Sequence, residues 1–345
     1  MHVKAYVSEN IVKAVALCNA SQVCIEAKDN ITLTVPILEM GLRVYLDGEI
    51  YSKGHAVCSI TDFRKIENSL GQVEIVFDET NSQLIFQNKE ATIKVYGNND
   101  SLYWKEVKTA ETTKISADTF SKILKKLEDF VSKDAYSFLQ CVYFSSENRE
   151  IVSSDGYRLG VYKPDFEIKS DAYVMRYVFK ILKHLLPMVD EVELGSDEEY
   201  SKIAGYKNGV IKWEVYNSNP SSYPNYRVVI EGLEFKHVFS FNKKELVDAL
   251  KKVKNIDIVV LEVSGNEAKL TFIDREGVEV RKQVEVVNMT LSEKIVIGFN
   301  PKFLLQGVEK FNSNIIIMDI IDANSIVQLK GDMDFTYYVM PRKIN

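Results

Sequence analysis

Six stretches with helical hydrophobic spacing recur along the chain at two interleaved, nearly constant intervals, and this repetition constrains the fold more than any other feature. The stretches are 8–20, 60–70, 116–132, 175–189, 242–255 and 300–312. Starts at 8, 116 and 242 are 108 and then 126 residues apart; starts at 60, 175 and 300 are 115 and then 125 apart. A period this long marks repeated domains, not a solenoid built from short units. Each helix is entered from a short alternating segment: Val3–Val7, Val57–Ser59, Lys114–Ser116, Ala172–Val174, His237–Phe241 and Lys294–Gly298. Each is followed by several more, such as Val73–Phe77, Gln83–Gln87 and Thr92–Tyr96. The expectation is an α+β chain of three similar domains, 1–110, 111–233 and 234–345, each with two helices and two antiparallel sheets. No low-complexity linker separates them.

Helix starts carry local signals. Ser8 or Asn10, Thr61 or Asp62, Ser116 or Asp118, Asn242 and Asn300 offer N-cap side chains, and Pro301 suits a first turn. The stretch 175–189 has no obvious cap.

Composition closes off other classes. With 345 residues, 46% hydrophobic and 27% charged, the chain has the balance of a folded globular protein. The most apolar run, Ile315–Ile321, is strand-length, which argues against a membrane helix; the first residues read as a strand, not a secretory signal. A cytoplasmic protein is expected. Cys18, Cys24, Cys58 and Cys141 have no C-x-x-C spacing and the four histidines stand apart, so neither a metal site nor a disulfide framework is expected, and no cofactor. There is no G-x-x-x-x-G-K-[ST] loop, no G-x-S-x-G elbow and no H-E-x-x-H pair. The acidic run Asp197-Glu198-Glu199 reads as a solvated turn. No catalytic residue is expected.

A net charge of −6 argues against a nucleic-acid partner unless the charges are segregated. They are. The six windows hold sixteen basic residues: Lys13, Arg64, Lys65, Lys122, Lys125, Lys126, Arg176, Lys180, Lys183, Lys243, Lys244, Lys251, Lys252, Lys254, Lys302 and Lys310. They hold nine acidic ones, Glu9, Asp62, Glu67, Asp118, Glu128, Asp129, Glu245, Asp248 and Glu309, leaving the windows at +7 and the remainder at −13. Helices gathered on one surface would attract phosphates while the rest repels them. Lysine is also common on merely solvated helix faces.

Four segments then stand out in order. Val152-Ser153-Ser154-Asp155-Gly156-Tyr157-Arg158-Leu159 resembles a T-D-G-H-R-L strand turn; Ser222-Tyr223-Pro224-Asn225-Tyr226-Arg227-Val228-Val229 is similar to F-P-D-Y-R-R-V. Gly298-Phe299-Asn300 before Phe303-Leu304 matches G-F-N-x-x-Y-L, and Tyr338-Val339-Met340-Pro341-Arg342 resembles a Y-V-x-P-x-R terminus. Together with the threefold repeat they resemble the bacterial DNA polymerase III beta subunit, the beta sliding clamp family, over the whole chain.

That resemblance implies a DNA clamp fold and a head-to-tail homodimer closing into a ring, with helices inside, sheets outside and duplex DNA threaded through. It implies a non-catalytic processivity factor whose partners are double-stranded DNA, the DNA polymerase III alpha subunit, the clamp loader and other clamp-binding-motif proteins. DNA would be held without sequence preference by Arg64, Lys65, Lys122, Lys125, Lys126, Arg176, Lys180, Lys183, Lys243, Lys244, Lys251, Lys252 and Lys302. A client-peptide cleft would use Leu139, Ser154, Gly156, Tyr157, Arg158, Leu159, Pro224, Val228, Val229, Asn300, Phe303, Val339, Met340, Pro341 and Arg342. The dimer contact would use an edge strand such as Thr92–Tyr96, with Ile256 as an apolar contact.

The sequence also departs from that family. Asn19-Ala20-Ser21-Gln22 runs almost directly into Val23-Cys24-Ile25, where the family has a long loop. Tyr157 stands where histidine is common and Val228 where arginine is common; Arg342 lies one place closer to its proline. Val174-Met175-Arg176-Tyr177 replaces V-P-R-K. These departures motivate an alternative, a clamp-fold interaction scaffold that no longer loads on DNA. A trimeric clamp of two-domain chains would be too short for three repeats.

Overall fold

Alternation of apolar residues sets the strands. In His2–Val7 the side chains of Val3, Ala5 and Val7 are fully buried while Lys4 and Tyr6 point outward, and Gly71–Asp78 buries Val73, Ile75 and Phe77 in the same way. The computed structural model describes residues 1–68, 71–134, 138–252, 256–264, 267–290 and 294–344. Among them are seven α-helices: α1 (Glu9–Leu17), α2 (Ile60–Phe63), α3 (Ala117–Leu127), α4 (Phe179–Leu185), α5 (Arg227–Ile230), α6 (Lys243–Lys251) and α7 (Pro301–Glu309).

Among the described residues the order is strand, helix, three strands, six times over, with one extra strand, Gly48–Ser52, in the first round. His2–Val7 enters α1, Gly54–Ser59 enters α2 and Thr113–Ser116 enters α3. Ala172–Met175, His237–Asn242 and Ile295–Phe299 precede α4, α6 and α7. After α7, for example, come Ile315–Ile320, Val327–Lys330 and Phe335–Val339. The single-turn α5 was not foreseen; it lies in the Pro220–Lys236 connection.

The caps follow the expectation in four helices. Ser8 accepts from Ile11 N–H and Ser116 from Thr119 N–H. Asn242 accepts from Lys244 and Glu245, and Asn300 from Lys302 and Phe303, with Pro301 in the first turn. In α2 the cap is neither Thr61 nor Asp62 but Ser59: its Oγ accepts from Asp62 N–H at 3.0 Å and donates to Asp62 Oδ2 at 2.9 Å. The 175–189 stretch, lacking a cap, is a 3-10 turn, the short α4 and a second 3-10 turn at Leu186–Met188. The ends of the 60–70 and 242–255 windows, including Lys254, lie outside the described residues.

The contacts divide into two compact units. The first comprises Met1–Leu124, Tyr143–Asn148 and Phe166–Ser221; the second, Lys125–Val142, Arg149–Asp165 and Ser222–Asn345. The segment 111–233 therefore contributes to both. In the first unit, a five-stranded antiparallel sheet runs Gly48–Ser52, His2–Val7, Gly71–Asp78, Gln83–Gln87, Thr92–Tyr96, so Thr92–Tyr96 is an edge strand. An eight-stranded sheet continues from Thr113–Ser116 to Gly54–Ser59, joined in its middle where Trp213–Asn217 pairs antiparallel with Met40–Val44. Helices α1 and α4 pack together, the first burying Ile11, Val12, Ala14 and Val15 and the second Phe179, Ile181, Leu182 and Leu185. Trp213 is wholly buried and donates to Leu185 O; it fits because Gly205 is opposite, where a Cβ would lie 2.2 Å from the indole. The loop from Leu17 to Gln22 is short, as the sequence implied.

In the second unit the strands run in the order Glu150–Ser154, Arg158–Tyr162, Phe335–Val339, Val327–Lys330, Ile315–Ile320, His237–Asn242 and Glu279–Thr290. Three more, Glu267–Asp274, Ile256–Ser264 and Ile295–Phe299, complete that run. Phe239, Phe241, Leu304, Phe311, Met318 and Tyr337 fill the core beneath α6 and α7. Among the described residues no helix is long and apolar enough to cross a membrane.

Candidate peptide-binding cleft

The Asp155-Gly156 turn shapes one wall of a cavity in the second unit. Gly156 sits at φ +88°, a conformation that favours glycine, and Asp155 Oδ1 accepts from the amides of Tyr157 and Arg158 at 3.1 Å. Ser154 Oγ donates to Arg158 O at 2.8 Å and accepts from Gly156 N–H. The turn lifts Tyr157 out, 65% exposed, and returns Arg158 inward.

Arg158 is only 6% exposed and every arm of it is used. Nε donates to Asp155 Oδ2 at 2.8 Å, Nη1 to Gln306 Oε1 at 2.8 Å and Nη2 to Asp129 O at 2.7 Å. Its guanidinium carbon lies 4.2 Å from the Phe303 ring centre and 5.4 Å from that of Phe130. A buried cation with each of its three nitrogens bonded is a fixed floor, not a charge on offer to a ligand. Below it, Tyr337 donates to Phe303 O at 2.9 Å, and burial pushes its phenol pKa well above the usual value.

The cavity holds about 200 Å³. Of the residues expected there, Leu139, Ser154, Gly156, Tyr157, Arg158, Leu159, Pro224, Val229 and Met340 line it. Tyr223, Asn225, Tyr226 and Ile326 line it too and were not foreseen. The first three flank Pro224 in the motif, a signal available in the sequence; Ile326 comes from a hairpin loop far along the chain and had none. The lining is mainly apolar, suited to burying apolar side chains of a ligand.

Six expected cleft residues are placed elsewhere. Asn300 caps α7 with its side chain. Phe303 stands behind Arg158, with its ring 6.2 Å from Tyr157, outside the lining. Val339 is fully buried between Arg158–Tyr162 and Val327–Lys330, a core residue. Val228 is 75% exposed and does not line the cavity. Pro341 does not line the cavity, and Arg342 leaves it: its amide donates to Gly298 O, and its side chain reaches Asp257. The register after Pro341 carries the arginine to the Ile295–Phe299 strand.

The basic helical residues are largely solvent-facing. Arg64, Lys65, Lys122, Lys125, Arg176, Lys180, Lys183, Lys244, Lys251, Lys252 and Lys302 are exposed. Arg176, Lys180 and Lys183, spaced by four and then three, form one stripe with no acidic residue between 176 and 188. Elsewhere the charge is partly offset by exposed pairs: Lys65–Asp62 at 2.5 Å, Lys122–Asp118 at 2.6 Å and Lys251–Glu309 at 2.6 Å. Two expected DNA contacts are turned inward. Lys126 pairs with Asp332 at 2.8 Å and Asp334 at 3.4 Å over the Phe335 ring, and Lys243 donates to Phe311 O.

Six strand–helix–three-strand units, with an apolar cleft beside an Asp-Gly turn, are the architecture of a DNA clamp. The family model for the DNA polymerase III beta subunit, C-terminal domain, matches residues 228–343. A beta sliding clamp from Streptococcus pneumoniae is 21% identical over 324 residues, covering 86% of this chain and 82% of that one. The solved beta subunit of DNA polymerase III from Thermotoga maritima superimposes with a TM-score of 0.84 at 20% identity, covering 100% of both chains. A Pseudomonas aeruginosa DNA polymerase sliding clamp does so at 0.86 and 17% identity, again over 100% of both chains. Residues 228–343 thus match the C-terminal domain of that family, and the chain as a whole has the fold of the solved beta subunits.

Proposed function

We propose that this protein is a replication sliding clamp, a cytoplasmic, non-catalytic processivity factor that encircles duplex DNA. Two copies would join head to tail through edge strands such as Thr92–Tyr96, with Ile256 near the contact, and each would contribute three domains, 1–110, 111–233 and 234–345. The sixfold strand–helix–three-strand order, two units per domain, supports that division.

The observation that carries the reading is the cleft. Two separated sequence motifs, 152–159 and 222–229, converge with Met340 on one apolar cavity. An extended peptide laid there would bury apolar side chains while the Asn225 side chain sets its register. The clients proposed are the DNA polymerase III alpha subunit, the clamp loader and other clamp-binding-motif proteins. DNA would be held by the exposed basic residues of the helices, weakly enough at each phosphate to slide. The set excludes Lys126 and Lys243, whose ammonium groups are engaged inward.

Electron microscopy of the purified protein tests the reading. Closed rings with a central opening are expected; compact particles without an opening at every concentration would contradict it.

A further inference from the structure

The outer wall of the cleft is formed by a segment that buries almost nothing of its own. Residues 221–236 are exposed or half-exposed except Tyr226, and α5 within them buries no residue. Yet Tyr223, Pro224, Asn225, Tyr226 and Val229 of this segment make up that wall. Over 222–231 its backbone bonds are local, Val229 N–H to Tyr226 O and Glu231 N–H to Arg227 O, as is the Arg227–Glu231 pair at 2.9 Å, whereas Lys236 N–H at its far end bonds Ile320 O. The side chains of Tyr226 and Arg227 reach the sheet, and both end on one carboxylate. Tyr226 donates to Glu150 Oε2 at 2.8 Å, and Arg227 Nη1 lies 3.1 Å and 3.2 Å from the two Glu150 oxygens. Glu150 is 4% exposed on the strand Glu150–Ser154 and does not line the cavity.

We propose that Glu150 is a latch: by holding Tyr226 and Arg227 it keeps the 222–231 segment docked, and so decides what fraction of molecules carries an assembled cleft. This rests on the cavity being the client site. A buried carboxylate bonded to a cation and a phenol is a strong anchor, whereas the segment has little apolar burial to replace it. Glu150 touches no ligand, so it is a positioning residue. Losing it lowers the competent fraction, and apparent affinity falls in proportion. The loss then appears in the association rate, while the bound complex dissociates as before. Removing a direct contact does the opposite and speeds dissociation.

The test uses the full chain with Glu150→Gln, Arg227→Gln and the double substitution. Arg227 is a third exposed, so its variant folds even if a neutral residue at 150 disturbs the strand. Amide hydrogen exchange over 223–231 is expected to speed up ~10-fold in each variant, with the Phe335–Val339 strand unchanged and the double no worse than either single. Peptides from the replicative polymerase of the same genome are then screened by surface plasmon resonance, and the tightest is the probe. Association is expected to slow ~10-fold with dissociation within twofold, while Tyr157→Ala speeds dissociation. Unchanged exchange, or a loss confined to dissociation, would overturn the latch. Should no peptide bind the unmodified protein, the client reading fails while the exchange result still decides the latch.

Discussion

Arg342 Nη2 donates to Asp257 Oδ2 at 2.7 Å, and Nη1 to the Asp257 carbonyl at 2.5 Å. With the Arg342 amide bonded to Gly298 O, the tail lies along the Ile295–Phe299 strand, and Met340 is the last tail residue at the cleft. An arginine expected at the cleft is thereby tied into the fold.

Arg342→Ala should therefore leave peptide affinity within about twofold, while Met340→Ala weakens it ~10-fold by removing an apolar contact. Truncation at Met340 should abolish peptide binding but leave the number of chains in the assembly unchanged. Fluorescence polarisation and light scattering read these outcomes; a larger loss for Arg342→Ala than for Met340→Ala would contradict this placement.

Gly307 in α7 faces the buried Tyr337 ring, and a Cβ there would lie 2.1 Å from it. Gly307→Ala gains about 1 kcal/mol of helix propensity but overpacks a filled site, for a net loss of about 2 kcal/mol. The urea midpoint should fall; a rise would show that α7 has room to move.

Asp332, between Val327–Lys330 and Phe335–Val339, accepts from Lys126 of α3 and from the amides of Asn312 and Ser313 in the turn after α7. Burial pushes its pKa up, but Lys126 and the amides of Asn312 and Ser313 together outweigh that and hold it below the ordinary value. A depressed carboxylate contributes stability that is complete above its unfolded pKa, about 3.9, and lost as pH falls through the lower folded one. Asp332→Asn should thus be less stable than the parent at pH 7, with the gap closing below about pH 4. Thermal unfolding across that range checks the sign; a gap that widens on acidification would contradict it.

The repeat is legible in the sequence because each unit must bury one helix stripe and alternate strand residues, and these periods survive divergence. Asn242 and Asn300 were legible as caps since each immediately precedes a helical stripe. Ser59 was overlooked because it closes a strand, though Ser59-Ile60-Thr61-Asp62 carries the reciprocal cap pattern. In the cleft, Ser154 to Leu159 and Pro224 could be placed because turn chemistry fixes them. Val339 and Arg342 could not, since a side chain's face near a strand end depends on register with a distant partner. Inward turns of Lys126 and Lys243 depend on acceptors far away in sequence, Asp332 and the Phe311 carbonyl.

Reversing charge at Lys125, Lys180 and Lys252 together should weaken retention on DNA and flatten its salt dependence, the logarithmic slope falling by roughly one for each phosphate no longer engaged. All three are exposed, so folding should be unaffected. Unchanged retention across a salt series would remove these helices from the DNA surface.

The most direct measurement is retention on nicked circular DNA against the same DNA made linear, after loading at low salt and washing at high salt. A ring around the duplex stays on the circle and slides off the free ends. Equal retention on both, or none on either after loading, would contradict encirclement.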